Sequence, residues 1–237
     1  MPPEPYSFSA RALLFDMDGT LVDSHEVVEA AWRDISERLG LDFDALLKVI
    51  HGVRAEDTLR RWAPPGTDLE AVAAELAEYE IREARRTRAL PGAVAFLDAM
   101  PLSAHALVTS ATLPLAVARM KGAGIRLPQL VVTAEDALRG KPAPDVYLLA
   151  AELLGVDPAD AVVFEDAEAG IQAGLAAGMR VIVVGKHRSD ATVGLPRIRG
   201  YDGATVETRE DGTLRVTLQP AEQEEPDEPG EKDGEGR

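Results

Sequence analysis

The sequence predicts an α/β protein, a doubly wound parallel sheet with a helical unit inserted after its first strand. Two observations carry this. Five short apolar runs (11–15, 104–109, 129–133, 161–164 and 181–184) read as buried strands, and helical patterns separate the last four. Strands alternating with helices imply right-handed βαβ crossovers and a parallel sheet. The gap between the first and second strands instead reads as helix throughout residues 24–88, with no strand of its own. A helical insert of that size at that place reads as a lid.

The first run, Leu13-Leu14-Phe15, ends in Asp16-Met17-Asp18-Gly19-Thr20. Open α/β sheets bind ligands beyond the carboxyl ends of their strands, so both acids should project into a site. Two such carboxylates can divide nucleophilic and acid/base work, and together they can hold a hard cation.

Within the insert, Val28, Trp32, Ile35 and Leu39 form one apolar stripe that ends at Gly40. The pattern continues through 46–50 and 58–62 until Pro64-Pro65-Gly66 interrupts it. Thr67 with Glu70 has the spacing of a capping box, predicting a long helix to about Arg88. After the insert, Pro91-Gly92 opens a helix with Val94, Leu97 and Asp98 in its register. Thr112 before Pro114 starts another, stopping near Gly122 or Gly124. A third spans 145–154 and closes at Gly155; a fourth spans 167–177 and closes at Gly178. Two alternating stretches, 204–208 and 214–218, flank Glu210-Asp211-Gly212 and predict a hairpin.

The expected division is therefore 1–21 core, 22–89 helical cap, 90–200 core, 201–218 hairpin extension and 219–237 tail. That tail has no large apolar side chain, and residues 221–237 carry eight acids against two bases, a net of −6. It cannot bury enough surface to offset its ordering entropy, which predicts disorder.

Bulk properties exclude several classes. At 237 residues and 46% hydrophobic content, the chain can bury one sizeable core, or one core and a small accessory unit. The absence of cysteine removes disulfides and thiolate metal sites and fits a reducing compartment. A formal charge of −16 argues against a nucleic-acid partner. Neither a signal peptide nor a membrane-length apolar run is read, so the expectation is a cytoplasmic monomer with no membrane partner. A phosphate-binding G-x-x-x-x-G-K loop is absent, since Glu135 stands five residues before Gly140. Thr20 likewise breaks a calcium-loop pattern.

Three further elements sit at the ends of later strands. Thr109 and Ser110 follow Ala106-Leu107-Val108, where a hydroxyl and backbone N–H groups can grip phosphate oxygens. Lys141, between Gly140 and Pro142, is placed by a stiff loop where its ammonium would keep Asp16 ionised. Val162-Val163-Phe164 ends in Glu165-Asp166, and a carboxylate from there could complete a Mg²⁺ site with Asp16.

In that order, these residues resemble the four motifs of the haloacid dehalogenase-like hydrolase superfamily, in its helical-cap phosphatase branch, over about residues 11–185. The resemblance implies a Rossmann-like core and a Mg²⁺-dependent phosphomonoesterase acting on a small-molecule phosphate. It implies that Asp16 is the nucleophile, forming an aspartyl-phosphate, and that Asp18 is the acid/base with its main-chain carbonyl helping to hold the metal. It implies that Thr109, the Ser110 backbone and Lys141 bind phosphoryl oxygens. Asp16 and Asp166 would ligate Mg²⁺, with Glu165 assisting directly or through water. The dehalogenase branch lacks an acid at the position of Asp18. The phosphonate-cleaving branch needs a cap lysine, for which the insert offers only Lys48.

Residues 50–58, with Trp32 and Arg139-Gly140-Lys141, resemble the sugar- and polyol-phosphate phosphatases, including the 2-deoxyglucose-6-phosphate and glycerol-phosphate enzymes. His51, Gly52 and Arg54 are the candidate substrate contacts, His51 and Arg54 as hydrogen-bonding groups for hydroxyls. A helix-capping His51 and a solvated Arg54 are the alternative. The β-phosphoglucomutase cap is related, but its phosphate-gripping arginine would fall on Ala55. The rival functions are thus a phosphosugar mutase and a non-catalytic phosphate-sensing or partner-binding module.

Overall fold

The computed structural model describes residues 4–221. Its strands are β1 (Tyr6–Ala10), β2 (Ala12–Phe15), β3 (Val22–Asp23), β4 (Arg88–Ala89), β5 (His105–Val108), β6 (Leu130–Val132), β7 (Ala161–Glu165), β8 (Arg180–Val184), β9 (Arg197–Ile198), β10 (Thr205–Thr208) and β11 (Leu214–Leu218). Its α-helices are α1 (His25–Leu39), α2 (Phe43–Leu47), α3 (Ala55–Trp62), α4 (Leu69–Glu83), α5 (Ala93–Asp98), α6 (Leu113–Gly122), α7 (Asp145–Leu154) and α8 (Glu168–Ala176).

The main sheet is parallel, in the order β6-β5-β2-β7-β8-β9. All five expected core strands are present, and β9 adds a sixth too short and mixed to read as a strand. Side chains alternate between the two faces, and both faces are covered. Leu13, Phe15, Val162 and Phe164 enter one apolar cluster, whereas Leu14 and Val163 enter the other. A strand buried on both sides must be apolar at every position, which explains the unbroken runs. Phe15 stacks on Phe164 with centroids 4.7 Å apart, and Phe96 and Tyr201 close round them.

The expected hairpin forms, but it does not stand alone. Tyr6–Ala10, not read as a strand, pairs antiparallel with β11. Leu214, Val216 and Leu218 are buried in the same cluster as Phe15. The expectation of a disordered tail lies outside the described residues except at 219–221, where the Ala221 N–H donates to the Arg197 carbonyl at 2.9 Å.

Helices α1–α4 have an apolar core of their own, built round Trp32, Ile35, Leu46, Leu59 and Leu76. Four details correct the sequence expectations. A two-stranded antiparallel ribbon, β3 with β4, joins the two ends of the insert, so Arg88 is a strand residue. The long helix ends at Glu83 and continues only as a 3₁₀ turn, Ala84–Arg86. Its N-cap is Asp68, which accepts the Ala71 N–H at 3.1 Å; Thr67 turns back to the Pro64 carbonyl, so the Thr67–Glu70 box does not form. In α5 the buried residues are Ala93, Phe96 and Leu97, one step from the expected register, and Val94 is exposed.

Candidate active site

The site lies beyond the carboxyl ends of β2, β5 and β7, in neighbouring positions of the sheet. The Asp16 N–H donates to the Phe164 carbonyl at 3.0 Å, so the ladder runs to the first carboxylate and fixes its root. The chain then turns sharply: the Leu21 and Val22 N–H groups both donate to the Met17 carbonyl. Gly19 makes this possible with φ +75°, and a Cβ there would fall 2.0 Å from Asp166 Oδ2. Glycine is thus required by both conformation and space.

Lys141 is the centre of charge. Its ammonium donates to Asp16 Oδ1 at 2.6 Å, to Glu165 Oε1 at 2.8 Å and to the Val108 carbonyl at 3.1 Å, using all three N–H bonds. Glu165 is saturated in turn. Oε1 also accepts the Tyr147 hydroxyl at 3.0 Å, and Oε2 accepts the backbone N–H groups of Asp166 and Ala167 at 3.0 and 3.1 Å. Asp166 Oδ1 accepts the Thr20 hydroxyl at 3.1 Å.

Three carboxylates and one ammonium share this buried space, an excess of two negative charges when all are ionised. Burial pushes Asp16 up from 3.8 to about 8; Lys141 opposes the shift, while Glu165 and Asp18 add to it. Asp166 is also held well above its usual range, by burial and then by Glu165 and Asp16. Burial disfavours the Lys141 charge, but Asp16 and Glu165 outweigh it and hold the ammonium above an ordinary lysine. Buried charge of this kind needs a counterion. Asp16, Glu165 and Asp166 each offer an oxygen, all within 4.8 Å of one another. An all-oxygen donor set with two charges in excess fits a hard divalent cation.

A cavity of about 360 Å³ opens beside Asp16, lined by Asp16, Asp18, Trp32, His51, Gly52, Arg54, Thr109 and Ser110 among others. Asp16, Asp18, Thr109, Ser110 and the three insert residues therefore meet at this cavity, though not all in the expected posture, while Lys141 and Asp166 line the cleft next to it. The Thr109 hydroxyl accepts the Ala111 N–H at 3.1 Å, and the Ser110 hydroxyl donates to the Gly52 carbonyl at 2.8 Å, tying β5 to the insert. Arg54 is not solvated: one N–H donates to the Ala137 carbonyl at 2.7 Å across to the loop before Lys141. His51 is held below its usual value, first by burial and then by His25. Lys48 lines an adjoining cleft of about 1140 Å³, which shares His51 with the first and reaches Lys141 and Asp166 but not Asp16 or Asp18. Arg139 points outward to a paired contact with Asp145.

Sequence reasoning missed two charged residues here. Arg119 on α6, buried, donates to Asp18 Oδ2 at 2.6 Å and to Glu80 Oε2 at 3.0 Å. Glu80 is pushed up from 4.5 to about 7, by burial against the opposing pull of Arg119. A lone arginine and a lone glutamate inside helical patterns carry no signal of such a role. Only the improbability of burying them marks them, and burial is invisible in a single sequence.

Residues 10–178 match the family described as haloacid dehalogenase-like hydrolase. The chain is 44% identical over 197 residues to hexitol phosphatase A of Escherichia coli K12, covering 81% of this chain and 88% of that protein. It is 37% identical over 190 residues to glycerol-1-phosphate phosphohydrolase 2 of Saccharomyces cerevisiae, covering 76% of each. The fold is also that of CbbY from Rhodobacter sphaeroides, solved with phosphate, at a TM-score of 0.69 and 23% identity over 81% of this chain and 95% of that one.

Proposed function

The chain belongs to the haloacid dehalogenase-like hydrolases and is a phosphatase, and from that premise we propose that it hydrolyses a small sugar or polyol phosphate through an aspartyl-phosphate. The observation that carries this reading is that Asp16, held by Lys141 at 2.6 Å, lines a cavity of about 360 Å³ together with Asp18, Thr109 and Ser110. That volume suits a polyol-sized group rather than a macromolecule. Polyol phosphates are what the two curated relatives are named for.

In the proposed reaction Asp16 attacks phosphorus, and the bond to the substrate oxygen breaks. Asp18 gives its proton to the departing oxygen. A water then attacks the aspartyl-phosphate, passing its proton to Asp18, and inorganic phosphate leaves with Asp16 restored. Lys141 holds Asp16 Oδ1 in place throughout, and with Thr109 and the Ser110 backbone it offsets the phosphoryl charge. Such catalysis is mostly positioning and charge stabilisation. Mg²⁺ bound by Asp16, Asp166 and the Asp18 carbonyl would neutralise charge on the phosphoryl oxygens and keep Asp16 ionised. Glu165 is better suited to holding Lys141 than to ligating, since its oxygens already accept four donors.

We assign the cap to residues 22–89, on the support of the β3–β4 ribbon that joins its two ends. His51 and Arg54 would then contact substrate hydroxyls from the cap side. The insert does not favour the mutase: Ala55 begins α3 where that enzyme's cap would need an arginine, and Arg54, one place earlier, gives one N–H to the Ala137 carbonyl. Inorganic phosphate release from hexitol phosphates, glycerol 1-phosphate and p-nitrophenyl phosphate, with and without Mg²⁺, tests the reading. Mg²⁺-dependent release, highest in kcat/KM for a polyol or sugar phosphate, is expected. Absence of release from every compound would contradict it, as would isomerised product without net phosphate.

A further inference from the structure

Arg119 is a second buried cation of the site, and the reaction just described leaves it without a task. It stands on α6 of the core, with its side chain 3% exposed. Its Nη1 donates to Asp18 Oδ2 at 2.6 Å and its Nη2 to Glu80 Oε2 at 3.0 Å. Glu80 stands on α4, in the helical insert, so one guanidinium spans the boundary between insert and core. The Ser24 hydroxyl donates to Asp18 Oδ1 at 2.6 Å, and both oxygens of the Asp18 carboxylate are thereby held. Arg119 Nε is buried and has no partner among the described residues, so the side chain is placed by these two carboxylates and not by a fuller set of bonds.

A guanidinium is a rigid planar fork. Fixing the acceptor on one prong fixes the direction of the other, so Glu80 determines where Nη1 points, and Asp18 follows.

We propose that Arg119 is a positioning residue for Asp18, and that Glu80 makes this positioning depend on α4 being seated against α6. The acid/base would be correctly presented only with the insert in place over the substrate. The proposal rests on the reading of Asp18 as the leaving-group acid.

The test compares kcat/KM for glycerol 1-phosphate and p-nitrophenyl phosphate in the wild type, Arg119→Lys and Glu80→Gln. This parameter covers the step in which the leaving group departs. An alkoxide leaves only with a proton, whereas p-nitrophenolate leaves without one. General acid catalysis supplies about 10²–10⁴-fold. Misplacing Asp18 should therefore cost the alkyl phosphate roughly 10- to 100-fold and the aryl phosphate less than about 3-fold. The ratio of the two, taken on one preparation, does not depend on how much of that preparation is folded. A fall in that ratio in both variants supports the proposal. Equal losses on both substrates, down to complete inactivity, or no change, overturn it. A wild type that hydrolyses neither compound contradicts the phosphatase chemistry itself, and the proposal falls with it.

Discussion

Lys141 and Arg119 each lie between two carboxylates, yet one group belongs wholly to the sheet core and the other reaches into the insert. Lys141 joins Asp16 at the end of β2 to Glu165 at the end of β7, all three side chains 5% exposed or less. Arg119 joins Glu80 of α4 to Asp18, whose side chain is 29% exposed. In the first group both carboxylates are rooted at the ends of adjacent parallel strands, so their spacing is fixed by the sheet ladder, and Lys141 reaches them from the loop before α7. The second can part whenever the insert shifts on the core, the kind of motion by which lids admit substrate. On the proposed roles the difference is a division of labour: a fixed centre for the nucleophile and a docking-dependent one for the acid/base.

The largest effect should come from the fixed centre. Asp16→Asn keeps the shape but removes the charge of the proposed attacking oxygen, and kcat should fall on the order of 10⁴-fold or more, measured as phosphate release. Retained activity would place the nucleophile elsewhere. Next, Lys141→Met leaves three buried acids with no cation, and urea unfolding should show a loss of about 3–5 kcal/mol. Arg119→Met should cost less, about 1–3 kcal/mol, because Asp18 can turn toward water. Equal losses would erase the proposed contrast between the two groups.

Protons and cations sharpen the same contrast. Asp16 rises from 3.8 to about 8 and Glu80 from 4.5 to about 7. Between roughly pH 4 and 8 the folded, metal-free chain therefore binds more protons at these groups than the unfolded chain does, and stability must fall as pH rises. With chelator present, Tm should drop from pH 5 to pH 8. Added Mg²⁺ should raise Tm more at pH 8, where about half of the molecules no longer carry the Asp16 proton, than at pH 5, where nearly all do. A cation effect as large at pH 5 would contradict that. The smallest change is expected at the edge of the site: Arg54→Ala removes the bond to the Ala137 carbonyl and should raise KM roughly 3- to 10-fold with little change in kcat.

What the sequence disclosed and what it hid divide along the same line. Lys141 was legible because glycine and proline flank it, and Asp16, Asp18, Glu165 and Asp166 because each follows an apolar run that could only be a buried strand. Arg119 and Glu80 stand in helical patterns where a charged residue is ordinarily solvated, and only tertiary packing makes them neighbours. Tyr147 went unnoticed for the same reason, as a helix residue whose hydroxyl reaches Glu165 at 3.0 Å. Strand β1 was hidden because its partner, β11, lies more than two hundred residues away in sequence, and its alternation is set by that pairing. The Thr67–Glu70 box fails because α4 starts one residue later than that spacing implies, with Asp68 as its cap and Thr67 bonded back to the Pro64 carbonyl.

The claim beneath all of this is that phosphate passes through Asp16. Protein quenched in acid during turnover and digested should carry one phosphoryl group on the peptide containing Asp16, absent from Asp16→Asn and from chelated enzyme. Full turnover with no phosphoryl group on that peptide at any quench time, or the label on another residue, would contradict the account.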